Sequence, residues 1–230
     1  MHKHTAEAIL QELQSLRVAQ APLSVVHYAC ESFFEVRDRP VAVSCICFAD
    51  VATGRVIAYS QIDREDDRER YVLDSFFSYL SAEPERCLLH WNMTSSDFGF
   101  RALENRYYYL TKQDPPWRPR GDRTHDLDEL LASLYGHDYA DHPRMRNVFR
   151  LNACETKHFL EGREETERFK NGQHGDIRRS VTEKAQLLAR LTRLLLDGTL
   201  ETKTAGPRLR FADASVDAVR VLVTIGERFL

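Results

Sequence analysis

Apolar positions along the chain follow two periods. MHKHTAEAILQELQSL repeats at helical spacing, with Thr5 as the expected N-cap. From LSVVHYACESF (23–33) the pattern turns continuous and β-rich, which predicts a buried strand. PVAVSCICFAD (40–50), the turn VATG and RVIAYSQID (55–63) predict a hairpin, with Gly54 supplying the turn. DREDDRERYVLDSFFSYLSAE (63–83) starts acidic and then carries Val72, Leu73, Phe76, Phe77 and Leu80 on one helical face. RCLLHWN (86–92) predicts a short buried strand and SDFGFRALENRYYYL (96–110) a second helix. The expected order is therefore strand, hairpin, helix, strand, helix.

QDPPWRPRGDRTH (113–125) interrupts this order with prolines and a glycine. Helices are expected beyond it. HDLDELLASLYG (125–136) puts four leucines on one face and stops at Gly136, and HPRMRNVFRLN (142–152) opens with proline. FLEGREETERFKNG (159–172) begins or breaks near Gly162, and DIRRSVTEKAQLLARLTRLLLDG (176–198) has the strongest helical pattern of the chain. TLETK and RLRFAD would form a terminal hairpin, and SVDAVRVLVTIGERFL would close as a helix or strand. The expected division is an N-terminal helix (1–21), a main domain (22–198, strand-rich over 22–112 and helical over 125–198) and a C-terminal extension (199–230).

Composition narrows the classes. The 230 residues carry 43% hydrophobic and 29% charged side chains, which suits a globular chain. A net charge of −3 excludes nucleic-acid binding by bulk charge but leaves room for a local basic surface. No apolar run reaches the ~20 residues that cross a bilayer, and the start lacks a signal peptide's apolar core. The expectation is a cytoplasmic protein with no membrane partner. Five cysteines, none in a CxxC pair, read as reduced buried thiols and not as a zinc site. There is no P-loop, GxGxxG or HExxH pattern.

Candidate chemistry gathers in LLHWNMTSSDFGFRALENRY (88–107), where His90 and Asn92 end a strand and Asp97 follows five residues after the Asn. Phe98, Phe100 and Leu103 come next. A second acid, Glu31, closes the strand VVHYACESF. This order and spacing resemble the ribonuclease-H-like fold, and within it the DEDD superfamily of 3′–5′ exonucleases. The resemblance covers roughly residues 22–112 by element order, with an extension to the helix 176–198. It implies an α/β fold: a mixed sheet of three antiparallel strands plus parallel strands, flanked by helices, with a mainly helical C-terminal half.

The family's four acids hold two divalent metals, Mg or Mn, about 4 Å apart, which activate water and steady the leaving oxygen. By resemblance, Asp97 and Glu31 are the metal ligands and Asn92 braces the turn. The chain departs from the pattern twice. Ala29 stands where the first Asp is expected, and Lys184 where the last one falls. A lysine there puts a fixed positive charge in the place of a dication and could pair with Glu31 and Asp97. In other registers His174, Asp176 or Glu183 reaches the site, giving a metal set of Glu31, Asp97 and Asp176 and a catalytic set of Glu31, Asp97 and His90, with a histidine as general base. The plain alternatives are that Asp97 caps the following helix, that His27 is a hydrogen-bonded core residue, and that Glu183, Lys184 and Arg190 form a solvated face.

Two basic stretches add a partner. PPWRPRGDR sets Trp117 among Arg118 and Arg120, and HPRMRNVFR carries Arg144 and Arg146. Arginine beside an aromatic suits phosphate contact and base stacking, with ordinary charged segments as the alternative. The expected function is an exonuclease-fold protein that binds nucleic acid, DNA or RNA, over a degraded two-metal site and then without a metal cofactor. The alternatives are an active metal-dependent 3′–5′ exonuclease with a shifted ligand set, and a non-catalytic subunit that binds a protein partner.

Overall fold

The computed structural model describes residues 3–204. Helix α1 (Lys3–Val18) leads into β1 (Leu23–Cys30), β2 (Val43–Asp50) and β3 (Val56–Ser60), followed by a 3₁₀ turn over Gln61–Asp63. Helix α2 (Arg68–Ala82), β4 (Cys87–His90), α3 (Phe100–Thr111) and the three-residue β5 (Thr124–Asp126) come next. Four helices complete the order: α4 (Leu127–Tyr135), α5 (Arg144–Leu151), α6 (Gly162–Lys170) and α7 (His174–Leu196).

The strands form one mixed sheet in the order β3-β2-β1-β4-β5. β1, β2 and β3 run antiparallel to their neighbours, while β4 and β5 run parallel to β1 and to each other. Helices cover both faces, so every residue of β1 is buried. Strand alternation sorts the two cores. Val26, Tyr28 and Cys30 pack with α2 and α3 through Val72, Phe76, Phe77, Leu103 and Tyr107. Val25 and Ala29 pack with α7, α1, α4 and α5, through residues such as Leu10, Leu13, Leu131, Phe149 and Leu188. Helix α1 thus shares the core of the main domain.

Helix α7 is long because its stripe is continuous: Ile177, Val181, Ala185, Leu188, Leu191 and Leu195 are fully buried at helical spacing. Each buried leucine of such a stripe contributes about 1.5–3 kcal/mol. Three polar residues, Ser180, Lys184 and Thr192, are buried in the same helix. Among the described residues, no helix is long and apolar enough to cross a membrane. The five cysteines are buried and unpaired.

The elements expected from the pattern are present, with shifted ends. α1 already includes Lys3, so Thr5 lies inside the helix instead of capping it. α3 starts at Phe100, beyond the Ser-Ser-Asp segment. β5 was not expected, because three residues show no periodicity. Its register, Leu88 opposite Thr124 through His90 opposite Asp126, supplies the ordering instead. Residues 199–203 form no strand. The other half of the expected hairpin (208–213) and the closing segment (215–230) lie outside the described residues.

Candidate functional site

His27, Ala29 and Glu31 follow one another along β1 and its exit. Alternation turns His27 and Ala29 toward α7, where Lys184 is buried at 4% exposure. The Lys184 ammonium donates to Glu165 Oε1 of α6 at 2.8 Å, and Ser180 Oγ donates to the same oxygen at 2.7 Å. Ser180 Oγ in turn accepts the Leu160 N–H, and the ammonium stands 4.7 Å from the Phe159 ring centre. Lys184 therefore does not pair with Glu31 or Asp97, as the sequence suggested, nor does it lie on a solvated face. Its partner is Glu165, on a helix that was expected over 159–172 but to which no site role was given. His27 sits near this charge. Burial, and then Lys184, pull its pKa well below the usual histidine range, and its buried Nδ1 has no hydrogen-bond partner among the described residues. A neutral core histidine is what this environment favours.

Glu31 is engaged on both oxygens. Arg39 forks onto it at 2.7 and 3.0 Å, and the Ala42 N–H donates at 2.8 Å. Partial burial pushes this carboxyl up, but the hydrogen bonds from Arg39 and Ala42 and the charges of Arg39 and Arg106 outweigh it. The group ends below the usual carboxylate range.

Asp97 is exposed, with a single weak contact from Ser96 Oγ at 3.3 Å. The Phe98 N–H donates to Ser95 Oγ, and Gly99 occupies the cap position of α3, so Asp97 is not a helix cap either. The loop is pinned to β1 by the Gly99 N–H, which donates to Tyr28 Oη at 2.9 Å, and by Phe98 stacked on Tyr28. Gly99 itself is required there, since a Cβ would run into the Met93 carbonyl. The result is a cavity of about 280 Å³ bordered by Asp97, Ser96, Arg37, Arg39, Phe33 and Asn105. Asp97 borders this cavity directly, and Glu31 is tied to it only through Arg39.

His90 and Asn92 belong to a different cluster. His90 faces Asp126 across the β4–β5 pair, 3.8 Å from Nδ1 to Oδ2. Its Nδ1 accepts the Met93 N–H at 3.3 Å, and burial together with the charge of His125 lowers its pKa to about 4. Burial holds this ring neutral, with Asp126 and the Met93 N–H as its neighbours. Asn92, in the left-handed region at φ 53, donates its backbone N–H to Asp126 and its side-chain amide to Asp128.

Asp128 also accepts from Tyr139 Oη and from Arg144 at 3.4 Å. Burial raises the Asp126 carboxyl to about 6 despite amide donors from Asn92, Glu129 and Asp128. Asn92 therefore does brace a turn, but it braces β4 against the start of α4. The sequence reading missed Asp126 and Asp128, because HDLDELL reads as a helix with acids in its first turn; two acids flanking a strand-to-helix junction were the only signal.

The expected basic surface does not form as one patch. Trp117 turns inward, 5.8 Å from Phe100 and 6.5 Å from Phe76 between ring centres. Arg120 pairs with Asp122 and Glu85, Arg144 with Asp128, and Arg146 with Glu161. Asp176 pairs with Arg179 and Arg168 at the start of α7. Among the described residues, no group of three or more His, Cys, Asp or Glu side chains could hold a metal ion, so Glu31, Asp97 and Asp176 do not assemble into a ligand set.

Arg118 alone of the expected cations borders a groove. A second cavity of about 440 Å³ runs along Arg101, Tyr108, Asp114 and Arg118 and shares Pro40 and Asn105 with the first. The two cavities adjoin beside α3, and four arginines line them. No model of a known protein family matches the chain, and no curated protein matches it.

Proposed function

We propose that the chain is a ribonuclease-H-like, exonuclease-fold module that binds single-stranded nucleic acid without cutting it. The arrangement of the sheet supports the fold part of this reading. Antiparallel β1, β2 and β3 are followed by parallel β4 and β5, with α2 and α3 in the crossovers, which is what the resemblance implies.

The observation that carries the non-catalytic reading is Lys184. At the position of the last acid stands an ammonium that is buried, hydrogen-bonded and neutralised by Glu165. Lys184 and Glu165 close on each other as a neutral buried pair, so this position offers no carboxylate to a dication. The remaining acids cannot compensate. Glu31 already has both oxygens committed to Arg39 and Ala42, which leaves Asp97 with free carboxylate oxygens and no neighbouring ligand.

The walls of the two cavities supply the binding surface. Arg37 donates to the Phe34 carbonyl from Nε, which leaves the rest of its guanidinium facing the first cavity. Arg101 and Arg118 pair with Glu104 and Asp114, but both are about two-thirds exposed. The Arg118–Asp114 pair, exposed on both sides, is worth about 0–1 kcal/mol, so a phosphate replaces Asp114 at little cost, while Arg101 stays beside the buried Glu104. Tyr108, 54% exposed, stands at the second cavity and offers a ring to an unstacked base, while Phe33 at the first packs on Phe34 and Phe98.

Fluorescence anisotropy with labelled DNA and RNA oligonucleotides tests the reading, alongside denaturing gels in magnesium and manganese. Single strands are expected to bind, more weakly as salt rises, and to keep their length. Tyr108→Ala and Arg37→Ala are each expected to weaken binding about tenfold, the value of roughly one stacked base or one charged contact. Shortening of the strand that Asp97→Asn abolishes would establish the active-exonuclease alternative. Neither binding nor shortening would leave the protein-interaction alternative.

A further inference from the structure

We propose that β3 is a self-association edge, through which two copies of this chain pair antiparallel about a two-fold axis at Ala58 and join their sheets. β3 is the outermost strand of the sheet on its side. The Asp50 N–H donates to the Arg55 carbonyl, which fixes the alternation along the β2–β3 pair. Arg55, Ile57 and Tyr59 therefore direct their backbone groups to β2, and Val56, Ala58 and Ser60 direct theirs outward.

The edge carries none of the usual protection. Val56–Ser60 reads VIAYS, with no charge, proline or bulge, and Val56 through Tyr59 are half-buried. The opposite edge differs. β5 has three residues and is flanked by Arg123, which reaches Glu12 and Glu85.

The strand is complementary to itself. An axis at Ala58 gives a hydrogen-bonded Ala58–Ala58 pair at the centre, made by the half-buried Ala58 of each copy. The new ladder stops short of Ser60, which is fully buried and whose N–H is held by Asp63 at 2.8 Å. Side chains match as well: Ile57 of one copy lies opposite Tyr59 of the other, an aromatic–β-branched pair of the kind that stabilises antiparallel sheets.

Charge agrees with the same register. Arg55, exposed at the start of β3, arrives beside the far end of the second strand, where Glu65 and Asp66 are exposed just past the 3₁₀ turn. The axis makes this attraction twice. Parallel pairing would instead set Arg55 beside Arg55. These features together point to a second copy of the chain as the occupant.

Sedimentation velocity over a rising concentration series tests the proposal, together with cross-linking of Ala58→Cys by a short bis-maleimide. The native cysteines are all buried, so a covalent dimer would report the new thiol. The wild type is expected to shift from monomer to dimer mass, and Ala58→Cys to cross-link. Ala58→Pro, which removes an outward N–H and spares the β2 ladder, is expected to abolish the dimer with the melting curve unchanged. Should that variant fail to fold, Arg55→Glu carries the same test on an exposed side chain, with dimerisation weakened about tenfold and restored by Glu65→Arg and Asp66→Arg added together. A wild type that stays monomeric throughout overturns the proposal, as does a dimer that neither cross-links at position 58 nor responds to Arg55→Glu.

Discussion

Replacing Lys184 by methionine removes the ammonium and keeps most of the side chain's volume. Glu165 would then be left 7% exposed, with the Ser180 hydroxyl as its remaining donor. Removing one member of a buried ion pair costs about 3–5 kcal/mol, because the surviving charge stays desolvated. The reverse change, Glu165→Leu, strands the ammonium against the Phe159 ring at 4.7 Å. A cation–π contact of about 1–2 kcal/mol offsets only part of that. In the double variant neither charge survives, and replacing both members of such a pair by apolar groups is often neutral, so its stability should fall within about 1 kcal/mol of wild type. The assay is urea unfolding of all four proteins at pH 7, followed by circular dichroism. It should give a coupling energy of several kcal/mol, from singles that each lose about 3–5 and a double that recovers. Hydrogen exchange should show α6 loosened in each single variant, because Glu165 is its buried tie to α7. Single losses under about 1 kcal/mol that simply add would refute the reasoning. Lys184 would then be an incidental surface cation, and the argument against a dication at that position would lose its support.

His90, held neutral by burial with a pKa near 4, gives stability that is present above about pH 6.5 and is lost as pH falls toward 4. Asp126, raised to about 6, acts in the opposite sense: its contribution is present below about pH 4 and is lost as pH rises through 6. His90→Asn removes the first contribution, so wild type should lose about 2–3 kcal/mol relative to the variant between pH 7 and pH 4 in denaturant titrations. A gap independent of pH would contradict the burial of this ring. Gly99→Ala should cost about 1–3 kcal/mol, since the Met93 carbonyl must move to admit a methyl group. Tyr28→Phe should cost a similar 1–3 kcal/mol, roughly that of a buried N–H left without its acceptor. Both are read by urea unfolding, and wild-type midpoints would show that the loop is not pinned to β1. A thiol reagent should label no cysteine in the native protein and all five after unfolding.

How far the sequence could be read depended on the kind of signal involved. β1, β2, β4, α2 and α7 were visible because their apolar runs are long enough to show a period, and a period reports which face is buried. β5 was hidden by its length, and α3 was started too early because Ser95–Asp97 resembles a cap. The site was less legible, since its geometry comes from contacts between distant segments. Glu165 sits in FLEGREETERFKNG among other charges and reads there as a solvated acid. Only the meeting of α6 with α7 buries it against Lys184. Trp117 looked like a stacking platform among arginines, but sequence neighbours do not fix direction, and the ring packs against Phe76 and Phe100.

Tertiary pairing also divides what the sequence grouped into one site. Glu31 closes on Arg39, Asp97 borders the cavity beyond it, His90 and Asn92 join Asp126 and Asp128, and Lys184 closes on Glu165. A two-metal centre needs carboxylates that converge and repel one another until cations relieve them. In this chain Glu31 has relief from Arg39, Asp128 from Arg144 and Tyr139, and Glu165 from Lys184, while the buried Asp126 has backbone amides alone and stays raised. The electrostatic demand for a dication has been met piecemeal by side chains.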